Sequence, residues 1–127
     1  MYNIRTTNRI QLALAATIAS ALLLASGMAT ADNDPSAQAI ADAVSDHSYQ
    51  GSMSEANSGF NEYYAADGTI HGKGYTGEWT TKSGEMCFAY GEEPTCYGVS
   101  LDGPSMVLRQ DGTIKGSGML IQGNTVK

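Results

Sequence analysis

Asp67-Gly68, Asp102-Gly103 and Asp111-Gly112, with Thr81-Lys82-Ser83-Gly84 among them, cut the chain beyond Tyr49 into short segments of alternating polarity. Aspartate-glycine is a strong hairpin signal, because glycine supplies the positive φ that the tightest turns need. Period-two patterning with turns recurring about every 8–12 residues describes an antiparallel meander. The spacing predicts eight strands, at about 48–54, 59–65, 69–74, 75–81, 85–90, 95–101, 105–110 and 113–121.

Each turn also sets a register, and a one-residue slip moves a strand's apolar set to the other face. An Asp102-Gly103 turn sets Leu101 against Pro104, Val99 against Met106 and Tyr97 against Leu108. A loop over 81–84 sets Trp79 against Met86, Gly77 against Phe88 and Tyr75 against Tyr90, while a Gly91-Glu92 turn sets Met86 against Tyr97. The three together assemble one apolar face from Tyr75, Trp79, Met86, Phe88, Tyr90, Tyr97, Val99, Leu101, Met106 and Leu108. At Asp111-Gly112 the pattern prefers a three-residue loop, with Leu108 against Ile114, over a two-residue turn, with Leu108 against Lys115. Gly116 and Gly118 then mark a bulge or bend of the kind that barrel closure requires.

Eight such strands must hide their apolar faces, and closure hides them while removing both sheet edges. The expected fold is mainly β: a small antiparallel up-and-down barrel of about eight short strands over residues 48–127. An open sheet with a helix packed on it is the alternative. The helix is expected within residues 32–47, with Asp34 as N-cap and Pro35 at the first helical position. Ala37, Ile40, Ala41 and Val44 form its apolar stripe, and it plugs or flanks one end of the barrel. Asp46-His47-Ser48 ends it, placing His47 where the helix dipole favours a cation.

Residues 1–31 have the form of a cleavable signal peptide. Arg5 and Arg9 precede an apolar run at 12–24, too short to span a bilayer comfortably, and Ala29-Thr30-Ala31 supplies small residues for cleavage. The expected location is therefore the periplasm or the extracellular medium. The remaining 96 residues make one small domain with a thin core. They carry five basic residues against thirteen acids, a net charge of −8, which argues against nucleic acid and anionic membranes as partners. Two cysteines in an oxidising compartment predict one disulfide. The Gly91-Glu92 turn sets Cys87 directly against Cys96, on the face opposite the core and near Glu78. Two thiols without nearby histidines do not complete a metal site, and no metal or other cofactor is expected.

The segments Glu62-Tyr63-Tyr64-Ala65-Ala66-Asp67-Gly68-Thr69-Ile70, Tyr75-Thr76-Gly77-Glu78-Trp79 and Met86-Cys87-Phe88, followed by Cys96, Gly118 and Gly123-Asn124, carry a resemblance. In order and spacing they resemble a family of small exported proteobacterial proteins catalogued as a domain of unknown function. The likeness covers roughly residues 49–124. The Gly-x-Trp strand is also similar, in architecture, to calycin-type barrels such as lipocalins and avidins. The resemblance implies an exported, disulfide-stapled β domain and brings no activity with it.

The densest polar constellation lies around Asp67-Gly68. A two-residue turn there sets Tyr64 against His71 and Glu62 against Lys73, so Glu62, Tyr64, His71 and Lys73 share one face as a candidate polar binding patch. Such a set can bind a polar ligand or assist proton transfer, or it is simply a solvated face with a cross-strand ion pair. No nucleophile or orienting group accompanies the histidine, so no catalytic residue is assigned. Met53, Met86, Met106 and Met119 read as core filler. Glu92-Glu93, at the tip of the hairpin that joins the cysteines, is the candidate contact loop for a basic partner.

These features point to an exported binding or interaction protein without catalytic activity, its ligand or partner unidentified. An eight-stranded barrel is about wide enough for side chains alone, so recognition by surface and loops is expected over a deep cavity. One alternative is an inhibitor of a periplasmic or extracellular hydrolase acting through the 91–95 loop. A second is a lipocalin-like carrier of a small apolar ligand, and a third is an enzyme using the patch around Glu62.

Overall fold

The computed structural model describes residues 34–127, and the leader segment 1–31 lies outside the described residues. Helix α1 (Ala37–Val44) leads into β1 (His47–Met53), β2 (Gly59–Tyr64), β3 (Thr69–Gly72), β4 (Tyr75–Lys82), β5 (Glu85–Ala89), β6 (Thr95–Asp102), β7 (Ser105–Gln110) and β8 (Thr113–Gln122). Each strand pairs antiparallel with the next and β8 pairs with β1, closing an eight-stranded up-and-down barrel.

The helix starts two residues later than Asp34-Pro35 suggests. Ser36 is the N-cap, its hydroxyl accepting the Ala39 N–H at 3.0 Å. Pro35 stays outside and its carbonyl accepts the Gly84 N–H at 2.8 Å, tying the helix start to the β4–β5 turn. At the other end Ser45 closes the helix, donating to the Ala41 carbonyl from both its N–H (2.9 Å) and its hydroxyl (2.7 Å). Asp46 then adopts φ 58° and joins three elements: its N–H donates to Tyr64 and its carbonyl accepts from Gly123, both at 2.8 Å. His47 is therefore the first residue of β1 and not a helix cap, with Nδ1 2.7 Å from the Ser45 carbonyl.

Loop lengths decide which side chains face inward. The β4–β5 and β6–β7 connections are two residues long, Ser83-Gly84 and Gly103-Pro104, so Trp79 opposes Phe88 and Val99 opposes Leu108. Each register is displaced by two from the sequence expectation. A displacement of two preserves the face, so the expected apolar set stays inside. The β5–β6 register is the expected one, with Met86 opposite Tyr97 and Cys87 opposite Cys96, joined by a 2.04 Å S–S bond. The bridge lies opposite Thr80, not Glu78, and Cys87 is buried in spite of its outward parity.

The two remaining aspartate-glycine pairs exchange their expected lengths. At 67–68 the Ala65 N–H donates to the Thr69 carbonyl at 2.9 Å, enclosing three residues where two were expected. Tyr64 consequently opposes Ile70, and Tyr63 opposes His71. At 111–112 the loop has two residues, both with positive φ (51° and 74°), where three were expected. A bulge between Leu108 and Arg109 then returns Leu108 to the interior opposite Gly116, while Ile114 lies half exposed opposite Arg109.

The end of the barrel next to α1 is solid. Ile40 and Val44 close it over Tyr49, Tyr64, Ile70, Met86 and Met106, all essentially without exposure. Trp79 belongs to this cluster, its indole N–H donating to the Ala65 carbonyl at 2.9 Å. Among the methionines read as filler, Met119 instead faces outward and is half exposed. The seam between β1 and β8 is tight: Gly51 opposes Gly118, and a Cβ added at Gly118 would lie 2.3 Å from the Gln50 carbonyl oxygen.

Candidate functional site

Toward the end away from α1 the inward positions include Gly51, Gly72, Gly77 and Gly116, which contribute no side-chain volume. The barrel opens there into a cavity of about 590 Å³. Its presence corrects the expectation of an interior filled by side chains. Phe60, Phe88 and Tyr97 form the walls, with Tyr75 and Tyr90 at the rim.

Glu62 projects into this cavity from β2, between Phe60 and Tyr64, and is 7% exposed. Three phenols hold its carboxylate. Oε1 accepts from the Tyr75 hydroxyl at 2.9 Å and from the Tyr90 hydroxyl at 2.7 Å, and Oε2 accepts from Tyr64 at 3.1 Å. Hydrogen bonds to an ionised acceptor are stronger than neutral ones, which is how a barrel interior tolerates a carboxylate at all. The phenols respond in kind. Burial first, and then the Glu62 charge, push Tyr64 and Tyr90 far above the usual phenol range. Tyr75 is raised to about 12, again mainly by burial. All three therefore remain donors at physiological pH.

Two of the donors also shape the rim. Tyr75 and Tyr90 are 43% and 47% exposed and meet nearly edge to face, with centroids 5.9 Å apart. Each ring rests on a glycine: a Cβ at Gly72 would lie 2.1 Å from Tyr75 Cζ, and one at Gly77 would lie 2.7 Å from Tyr90 Cδ1. Glu92 and Glu93 complete the rim from the β5–β6 loop. Among the described residues, the acidic side chains lining the cavity are Glu62, Glu92 and Glu93, and no lysine, arginine or histidine lines it.

The patch expected around Asp67-Gly68 is divided by the three-residue loop. Glu62 and Tyr64 face the interior, whereas His71 lies on the outer face opposite Tyr63, with ring centroids 6.0 Å apart. Lys73 falls in the β3–β4 turn and is exposed, so the four do not form a patch. Sequence reasoning missed Tyr75 and Tyr90 as partners of Glu62. The available signal was the alternation Phe60, Glu62, Tyr64, which puts an acid at apolar parity. Comparisons with family models, curated proteins and solved structures find no match to this chain.

Proposed function

We propose that this protein binds a small organic molecule in the mouth of its barrel and does not transform it. The observation that carries the reading is the cavity of about 590 Å³ with a buried carboxylate in its wall. Largely apolar concavities of several hundred Å³ with a few convergent polar groups are the usual form of small-molecule sites. The chemistry also favours binding. Glu62 is held by three donors, and among the cavity residues no histidine or lysine stands beside the Ser58, Thr76 and Thr95 hydroxyls to activate one of them.

The 91–95 loop places Glu92 and Glu93 on the cavity rim, which supports a role in ligand access over that of a projecting inhibitory loop. Export is part of the same reading. The leader-like segment 1–31 and the intrachain disulfide both fit an oxidising compartment outside the cytoplasm. The outward positions of β2 and β4, with Asn61, Thr76, Glu78, Thr80 and Lys82, are polar, while β8 exposes Ile114, Met119 and Ile121. The polar share suits a barrel in water better than one facing lipid.

Native mass spectrometry of the exported protein, isolated from its own host, tests the proposal. A stoichiometric small-molecule adduct released on collisional activation is expected. A bare polypeptide mass under every growth condition would sink it.

A further inference from the structure

We infer that the molecule taken up in the barrel mouth is an organic cation, an amine or quaternary ammonium on an apolar body, with its charge set against Glu62 among the rim tyrosines. The inference rests on the small-molecule reading above and names its ligand class.

Charge decides the sign. Glu62, Glu92 and Glu93 are the acidic side chains lining the cavity and no basic one lines it, so in a low-dielectric mouth carboxylate charge repels an anion and attracts a cation. A neutral apolar molecule would cover Glu62 without compensating it, adding to the cost of an already desolvated carboxylate. A cation supplies the missing countercharge.

Geometry decides the kind of cation. The carboxylate has about four acceptor positions, of which the phenols use three, leaving room for one N–H donor from the cavity side. Tyr75, Tyr90, Tyr97, Phe60 and Phe88 surround the same space, and aromatic faces bind weakly hydrated ammonium groups through their quadrupoles. A bare metal ion would need several strong ligands, and among the described residues no cluster of three or more carboxylate, histidine or cysteine side chains offers them. Tyr75 and Tyr90 stand at the rim with both hydroxyls on a single Glu62 oxygen.

The test uses the full exported chain with its disulfide intact and three isosteric probes: phenethylamine, 2-phenylethanol and phenylacetate, with benzyltrimethylammonium as the quaternary case. Titration calorimetry should give binding of the two cations at least tenfold tighter than of the alcohol, and no binding of the acid. Glu62→Gln should abolish that preference. Gly72→Ala, which displaces the Tyr75 ring and leaves the carboxylate in place, should weaken the cations several-fold. Glu92→Gln with Glu93→Gln, at exposed rim positions, keeps the test decisive even if Glu62→Gln fails to fold: cation association should slow and lose part of its salt dependence. Equal affinity for amine and alcohol, or a rim variant with unchanged association, overturns the cation assignment and leaves the small-molecule reading standing. A neutral or anionic adduct in the native mass spectrum does the same. A bare mass together with no probe binding overturns both.

Discussion

A carboxylate inside a barrel survives only while its donors stay in place, and the donors of Glu62 are not equivalent. Tyr75 and Tyr90 stand at the rim and can turn their hydroxyls to water, but Tyr64 is 1% exposed and has nowhere else to donate. Glu62→Ala should therefore cost about 1–3 kcal/mol, chiefly from stranding the Tyr64 hydroxyl. Urea denaturation measures it, and the same substitution in a Tyr64→Phe background should cost clearly less. Equal costs in both backgrounds would mean that the phenol is not the origin. Trp79 is the contrasting case. At 8% exposure, with its N–H satisfied, it is a core anchor, so Trp79→Ala should lose on the order of 3–5 kcal/mol and native emission should be blue-shifted and shielded from quenchers. The role of Trp79 was legible from parity alone, because registers displaced by two leave it inside. The partners of Glu62 were not legible. They depend on a one-residue difference in loop length, and on Tyr75 of β4 and Tyr90, just past the end of β5, reaching across the barrel to β2.

Among the elements, the turns show what a dipeptide can and cannot specify. Asp-Gly closes a three-residue loop at 67–68, in the register that buries Ile70. It closes a two-residue loop at 111–112, where the bulge between Leu108 and Arg109 brings Leu108 inside and Ile114 is left half exposed. Ile70 is wholly buried in the observed register and would face outward if the 67–68 loop were one residue shorter. Strand positions were thus readable from turn spacing, whereas loop length was settled only by packing across the closed barrel. The disulfide bridges Cys87 and Cys96, nine residues apart on adjacent strands, so Cys96→Ser should cost about 1–3 kcal/mol and leave the fold intact. Thiol titration of the native protein should find no free sulfhydryl. At the β1–β8 seam a side chain has no room. Gly118→Ala should destabilise by about 1–3 kcal/mol and raise amide exchange first in β1 and β8, since the added methyl meets the β1 backbone and not a movable side chain. Exchange that instead rose evenly around the barrel would show that the seam is not where the strain enters.

For the whole molecule, the same burial that builds the site makes the fold sensitive to alkali. Tyr49, Tyr64, Tyr75 and Tyr90 all have phenols raised above the ordinary value of 10, in each case chiefly by burial, and Tyr49 also donates to the Met106 carbonyl at 2.9 Å. Below pH 10 these groups carry their protons in both folded and unfolded chains and contribute no pH dependence. Above it the unfolded chain releases protons that the folded barrel retains, so the unfolded state binds fewer protons and stability falls as pH rises. The fall from Tyr75 ends near its folded value of about 12, while the more deeply buried phenols continue beyond it. Tyr49 and Tyr64 alone remove about 3 kcal/mol per pH unit, each contributing the standard slope for one proton. Against a stability of roughly 5 kcal/mol, the low end for a small domain, that slope unfolds the barrel within about two units above pH 10. The urea midpoint should be flat between pH 7 and 9 and drop steeply from pH 10. Phenolate absorbance should show an early phase from the accessible tyrosines, then a cooperative phase that coincides with loss of the β-sheet circular dichroism signal. If all the phenols titrated near pH 10 while the sheet signal persisted, the tyrosines would not be buried donors. The carboxylate they surround would then be open to water, and the site built on it would lose its physical basis.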